Sequence, residues 1–310
     1  MNRKMETKNV WRTALAIVAC VMCGLCELAA GEVTFGAGSV TADGVTMPYR
    51  EAEVCSNPDS AGALPALVVY LHGGSSKGSD NEKQMQEPGI DSIVNYLTAR
   101  GTHAMVLVPQ CPADKSWTGV MFAVVKSMID HYVLPGKVDA TRVYAFGGSM
   151  GGTGTWGMVS AYPNVFAAAM PVAGNPSKCI AENVSKTPIF TVMGTADAIM
   201  KVETAAQFVD ALTQLGGVAV IETEEGWTHE MTCIQSYTTR RLDWVFGKKN
   251  NRGASVETIG AQSGIVESIR YYSLDGRVLV HPLPGMVCVK ETYFSGGGRK
   301  VEKIFLRYSQ

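Results

Sequence analysis

The chain has 310 residues, room for one large α/β domain with a small addition. Hydrophobic residues make up 46%, ample for a core, and the formal net charge is −1 with no Lys/Arg run past the N-terminus. That balance argues against the basic surface a nucleic-acid partner would need.

Residues 1–30 have the layout of a secretory signal peptide. Arg3, Lys4, Lys8 and Arg12 precede an apolar stretch over 13–25, and Leu28-Ala29-Ala30 offers small residues for cleavage after Ala30. Two other readings fit less well. The apolar run is short for a membrane anchor, and Ile17-Val18-Ala19-Cys20, though close to a lipobox, is not followed by polar residues. The expectation is an exported chain, secreted or at the cell surface, with no stable membrane span after cleavage. Five of the eight cysteines lie beyond Ala30: Cys55, Cys111, Cys179, Cys233 and Cys288. Export permits disulfides, and an odd count leaves at least one thiol unpaired. Cys179 and Cys233, both in loops expected on the same side, are the expected pair. No zinc-site spacing occurs, so neither metal nor organic cofactor is expected.

Residues 31–44 read as a small, polar lead-in, 45–54 as a strand and 57–63 as a turn-rich loop. Residues 66–71 (ALVVYL) form the continuous apolar run of a strand buried on both faces. A glycine-rich loop follows from His72 to Asp80. A helix within 86–99, a strand over 104–108 and an amphipathic helix over 120–132 come next. Then 141–146 (TRVYAF) reads as a strand, 153–161 as a helix and 166–172 as a strand. Residues 188–193, 202–215 and 218–222 read as strand, helix and strand, before a closing helix that reaches Trp244 and Phe246. Strands and helices thus alternate from about 66 to 246, which implies a mostly parallel central sheet with helices on both faces. In such sheets functional groups gather beyond the carboxyl ends of the strands.

Gly147-Gly148-Ser149-Met150-Gly151 sits between a strand and a helix, the context of a G-x-S-x-G nucleophile elbow. The glycines admit a turn so tight that a Cβ would collide with neighbouring backbone. The serine is left exposed at the positive end of a helix. The alternative is a plain structural glycine turn. A serine becomes nucleophilic when an imidazole takes its proton and a carboxylate orients that imidazole. In this strand–helix context the chain order is Ser, acid, His. Asp197, after the 188–193 strand, and His229, before the closing helix, fit that order. Glu203 lies in a helix and Glu225 too near His229. His103 precedes a strand, His131 ends a helix and His281 lies past the domain.

His72-Gly73-Gly74 follows the first central strand, where backbone N–H groups can meet a developing oxyanion. Gly74 and Gly73, with Met150 at the helix start, are the expected donors, and His72 is a loop-bracing residue. Trp117 and Trp227 are candidates for substrate contact. Gly152-Thr153-Gly154-Thr155-Trp156-Gly157 spells G-x-G-x-x-G, but it starts inside the helix and no acid ends the next strand, so dinucleotide binding does not follow.

The catalytic domain is expected over 31–247. Residues 248–264 read as a linker. Residues 265–310 read as a small β module with a hairpin turn at Asp275-Gly276.

Taken as a set, Tyr70-Leu71-His72-Gly73-Gly74, residues 78–84 (GSDNEKQ), Val108-Pro109-Gln110-Cys111-Pro112, residues 147–156 (GGSMGGTGTW), Tyr162-Pro163, Phe166-Ala167-Ala168, Gly194-Thr195-Ala196-Asp197 and the His229 loop resemble secreted α/β-hydrolase esterases. These are the feruloyl/acetyl-xylan esterases and polyhydroxybutyrate-depolymerase-like proteins, often described as predicted peptidases. The resemblance spans roughly 45–248. It implies the α/β-hydrolase fold, a Ser149–Asp197–His229 triad, and a small ester or esterified plant polysaccharide as substrate. A serine peptidase on the same triad and a dead, glycan-binding relative are the alternatives. One departure is Ala198-Ile199-Met200 after Asp197, where such proteins often carry a second acid and Val-Pro. Residues 268–308, with Tyr272-Ser273-Leu274-Asp275-Gly276-Arg277 and Pro284-Gly285-Met286-Val287, resemble C-terminal tails of proteins exported by Bacteroidetes. That implies a sorting or attachment module; the alternative is a small β extension of the enzyme.

Overall fold

The computed structural model describes residues 33–55, 63–250, 266–273, 278–279, 287–294 and 298–305. The leader over 1–30, residues 251–264 of the linker, and the Asp275-Gly276 and Pro284-Gly285-Met286 motifs lie outside the described residues.

β1 (Gly36–Ala42) and β2 (Val45–Val54) form an antiparallel hairpin. β3 (Ala66–Leu71), β4 (Ala104–Pro109), β5 (Val143–Gly148), β6 (Ala168–Val172), β7 (Ile189–Gly194) and β8 (Ala219–Glu224) run parallel to one another. The sheet order is β1-β2-β4-β3-β5-β6-β7-β8. Every residue of β3, β5, β6 and β7 is buried, the outcome of apolar runs covered on both faces. β1 lies in the stretch read as a lead-in. Its small Ser, Thr and Gly residues suit an edge strand, and Asp43 and Gly44 both take positive φ in the turn to β2.

The helices are α1 (Pro88–Ala99), α2 (Val120–Val133), α3 (Met150–Ala161), α4 (Ala181–Val184), α5 (Val202–Gln214), α6 (His229–Gln235) and α7 (Thr239–Phe246). The two-residue period of β3 splits the core. Leu67, Val69 and Leu71 face α2, α3 and α5, while Val68 and Tyr70 face α1 and α7. Each such side chain, fully buried, contributes roughly 1.5–3 kcal/mol. α1 shows the helical counterpart: Pro88 at its start and Ile90, Ile93 and Leu97 on its buried stripe.

α3 is a poor helix by propensity, with four glycines in twelve residues. It is a helix because it is packed between other elements. A Cβ on Gly151 would lie 1.8 Å from the Leu71 carbonyl oxygen, and one on Gly152 2.2 Å from that of Val172. The chain stays pinned through Asn250: Tyr144 Oη donates to the Lys248 carbonyl, and Asn250 N–H donates to that of Thr141.

The C-terminal strands β9 (Val266–Tyr272), β10 (Val278–Leu279), β11 (Val287–Phe294) and β12 (Gly298–Phe305) form a separate antiparallel sheet in the order β10-β9-β11-β12.

Candidate active site

Ser149 joins β5 to α3 with φ 58° and ψ −119°, a conformation that side-chain-bearing residues rarely adopt. Its N–H donates to the Val172 carbonyl, and its own carbonyl accepts from Thr153 N–H. The hydroxyl is thereby held over the carboxyl end of the sheet. His229, the first residue of α6, brings Nε2 to 2.7 Å from Ser149 Oγ and Nδ1 to 2.8 Å from Asp197 Oδ2. The Asp197 carboxylate is shielded from solvent and the imidazole is 17% exposed. The three residues expected to converge therefore stand in one hydrogen-bonded line.

Backbone contacts fix this line. Asp197 Oδ1 accepts from both Ile199 N–H and Met200 N–H at 2.8 Å, so the Ala198-Ile199-Met200 departure still yields a loop that grips the acid. Ala196 N–H donates to the Trp227 carbonyl and Gly226 N–H to Thr195 Oγ1, which laces the acid loop to the imidazole loop. Thr228 caps α6 by accepting from Met231 N–H.

Met150 is the first residue of α3, with its N–H at the positive end of the helix. Gly74 is exposed at the start of a short 3-10 turn, Gly74–Ser76. Gly73 departs from expectation: its N–H is committed to Glu87 Oε1 at 2.9 Å, so it is not free for an oxyanion. Ser76 Oγ donates to the same carboxylate oxygen at 2.6 Å. Glu87 thus closes the loop from the residue before α1.

His72 is buried. Its Nε2 accepts from Cys111 N–H at 2.9 Å, so Nδ1 carries the proton and donates to the Gly73 carbonyl at 2.6 Å. Burial, with the nearby Lys77 charge adding to it, lowers its pKa to about 4, so it is a neutral brace near pH 7. Trp117 is buried, its Nε1–H donating to the His72 carbonyl at 2.9 Å, and it is among the residues lining a cleft of about 710 Å³. Trp227 does not line that cleft. Its ring lies under the guanidinium of Arg241, a buried cation that also bonds Glu222, Glu224 and the Ser236 carbonyl.

Glu87, Gln110 and Arg241 are the residues that sequence reasoning missed. Gln110 Nε2 donates to Asp80 Oδ1 and its Oε1 accepts from Asn81 N–H. Both partners lie in the 78–84 motif, and that co-occurrence was the available signal.

Cys179 and Cys233, expected as a pair, are both free thiols. Cys179 packs with the core under α2 and α3, and Cys233 with the core under α1 and α7, so the sheet separates them. Burial raises their pKa values to about 11 and about 12. Among the described residues no group of three or more His, Cys, Asp or Glu is placed to hold a metal ion, and no helix is long and apolar enough to cross a membrane.

No protein-family model matches the chain. It is 42% identical over 69 residues to poly(3-hydroxyalkanoate) depolymerase C of Paucimonas lemoignei, covering 22% of this chain and 16% of that one. It is 30% identical over 136 residues to feruloyl esterase B of Neurospora crassa, covering 42% and 46% respectively. The matched regions thus span less than half of either relative. Among solved structures, a thermostable esterase superposes with TM-score 0.62 at 27% identity, covering 69% of this chain and 63% of that chain.

Proposed function

We propose that this chain, which has the α/β-hydrolase fold, is a serine esterase that cleaves carboxylic esters through an acyl-enzyme. The observation that carries the reading is the pair of hydrogen bonds at His229: Nε2 accepts from Ser149 Oγ–H at 2.7 Å, and Nδ1–H donates to Asp197 Oδ2 at 2.8 Å. Ser149 Oγ attacks the ester carbonyl carbon while His229 Nε2 takes its proton. Asp197 holds Nδ1–H and stabilises the imidazolium that forms. Met150 and Gly74 N–H groups meet the oxyanion, a contribution of roughly a hundred- to a thousandfold per donor. His229 then gives the proton to the leaving alcohol, and water, activated by the same imidazole, clears the acyl group.

Feruloyl or acetyl esters of plant polysaccharide are the substrates proposed. The similarity to a feruloyl esterase and to a polyester depolymerase supports that choice. Export through residues 1–30, with the C-terminal module as a sorting or attachment element, completes the reading.

Ser149→Ala should cut turnover of p-nitrophenyl acetate at least a thousandfold while the melting temperature stays within a few degrees. Unchanged turnover would remove the serine from the mechanism. Methyl ferulate, acetylated xylan and a peptide amide, compared side by side, separate esterase from peptidase. Faster cleavage of the amide would reverse the assignment.

A further inference from the structure

His229 stands inside a segment, residues 224–236, that leaves the end of β8, turns at Gly226, forms α6 and turns again toward α7. α6 is seven residues long, too short to keep its own shape in water. Of those seven only Thr232 is buried; Met231 and Ile234 are exposed, and Cys233 meets the core in part. Each end of the segment has an anchor. Near its start the Trp227 carbonyl oxygen lies so close to β7 that a Cβ on Gly194 would come within 2.2 Å of it. Just past its end Tyr237 is buried beside Tyr70. His229 is the first residue of α6, so any tilt of the helix between these anchors carries the imidazole with it.

One side chain joins the two ends. Arg241, in the first turn of α7, is 3% exposed. Its Nη2 donates to Glu224 Oε1 at the start of the segment, and its Nη1 donates to the Ser236 carbonyl, at the end, across 3.2 Å. Its Nε donates to Glu222 Oε2 at 2.8 Å, and its guanidinium carbon lies 5.9 Å from the centre of the Trp227 ring, in the turn before His229. A buried cation is tolerated when it is paired and hydrogen-bonded, and two carboxylates supply that here. Arg240 adds two bonds of 2.7 Å to Glu222, so two guanidinium groups meet two carboxylates. The three acceptors call for a planar fork. A lysine ammonium, a point charge on a flexible stem, would keep the charge and lose the directions. None of these bonds reaches Ser149, Asp197 or the His229 ring, so Arg241 acts on the site through the chain.

We propose that Arg241 is a positioning residue: by clasping both ends of the 224–236 segment it keeps His229 Nε2 aligned with Ser149 Oγ. That this alignment serves ester cleavage rests on the serine-esterase reading; that Arg241 holds the ring does not. Proton transfer between Oγ and Nε2 belongs to the transition state, so a loosened clasp lowers kcat and leaves KM nearly alone. Misplacing such a group by about 1 Å costs about a hundredfold in rate.

The test pairs steady-state kinetics on p-nitrophenyl acetate with the ring Cε1–H NMR signal of His229, both on the full chain. In Arg241→Lys we expect kcat to fall about a hundredfold with KM within about twofold, and the His229 signal to shift or broaden. Glu224→Ala, which frees the start of the segment and leaves Arg241 paired with Glu222, should lower kcat about tenfold. Glu224→Gln, whose amide oxygen still accepts from Nη2, should recover most of that loss. If Arg241→Lys does not fold, the Glu224 pair decides alone. An unchanged kcat, a loss carried by KM, a His229 signal that stays put while kcat falls, or a Glu224→Gln no better than Glu224→Ala each overturns the proposal. Fluorophosphonate labelling of the parent chain judges Ser149 separately. Without labelling the esterase reading falls, and the His229 signal then decides by itself whether Arg241 holds the ring.

Discussion

His72 shows how much a single buried side chain can set. Folded, its pKa is lowered to about 4 by burial; in an unfolded chain it is about 6.5. Between those values the unfolded state binds the extra proton, so stability rises with pH across the window. The contribution is present in full above about pH 6.5 and is lost as pH falls toward 4, up to about 3 kcal/mol. Thermal unfolding should therefore show a melting temperature that drops from pH 6.5 to 4. His72→Gln should flatten that drop, because the substituted side chain no longer titrates. The three residues of the hydrogen-bonded line were legible one at a time, since Ser149, Asp197 and His229 each follow a strand whose apolar run announces itself. Gly73 was misassigned because the competing acceptor, Glu87, comes from fourteen residues away and carries no local mark.

At the scale of elements, the loop His72–Ser76 is shaped by the start of α1. Glu87 takes both Gly73 N–H and Ser76 Oγ–H, which leaves Gly74 as the exposed glycine of the pair. Under the proposed mechanism, in which the Gly74 donor acts on the transition state, Glu87→Ala should release that loop and lower kcat for an ester about tenfold with little change in KM. Glu87→Gln, which still offers an acceptor oxygen, should recover most of the rate; steady-state kinetics on both variants checks this. Central strands were readable because burial on both faces leaves a continuous apolar run. β1 was not, since an edge strand needs no such run. Asp43-Gly44 was the signal for its hairpin, a turn pair whose left-handed geometry suits strand twist. The closing helix is in fact two, α6 and α7, and in the turn between them the Ser236 carbonyl accepts from Thr238 N–H and from Arg241 of α7.

At the scale of the whole molecule, the eight-stranded sheet is also a partition. It keeps Cys179 on one side and Cys233 on the other, each thiol half-buried and resistant to ionisation. Stability here comes from covered strands and laced loops, so millimolar dithiothreitol should leave the melting temperature and ester turnover unchanged; a drop of several degrees would point to a cross-link. With Cys111, Cys179 and Cys233 all free thiols, the sheet domain should assemble equally well in reducing or oxidising surroundings, so that folding by itself sets no demand on the compartment.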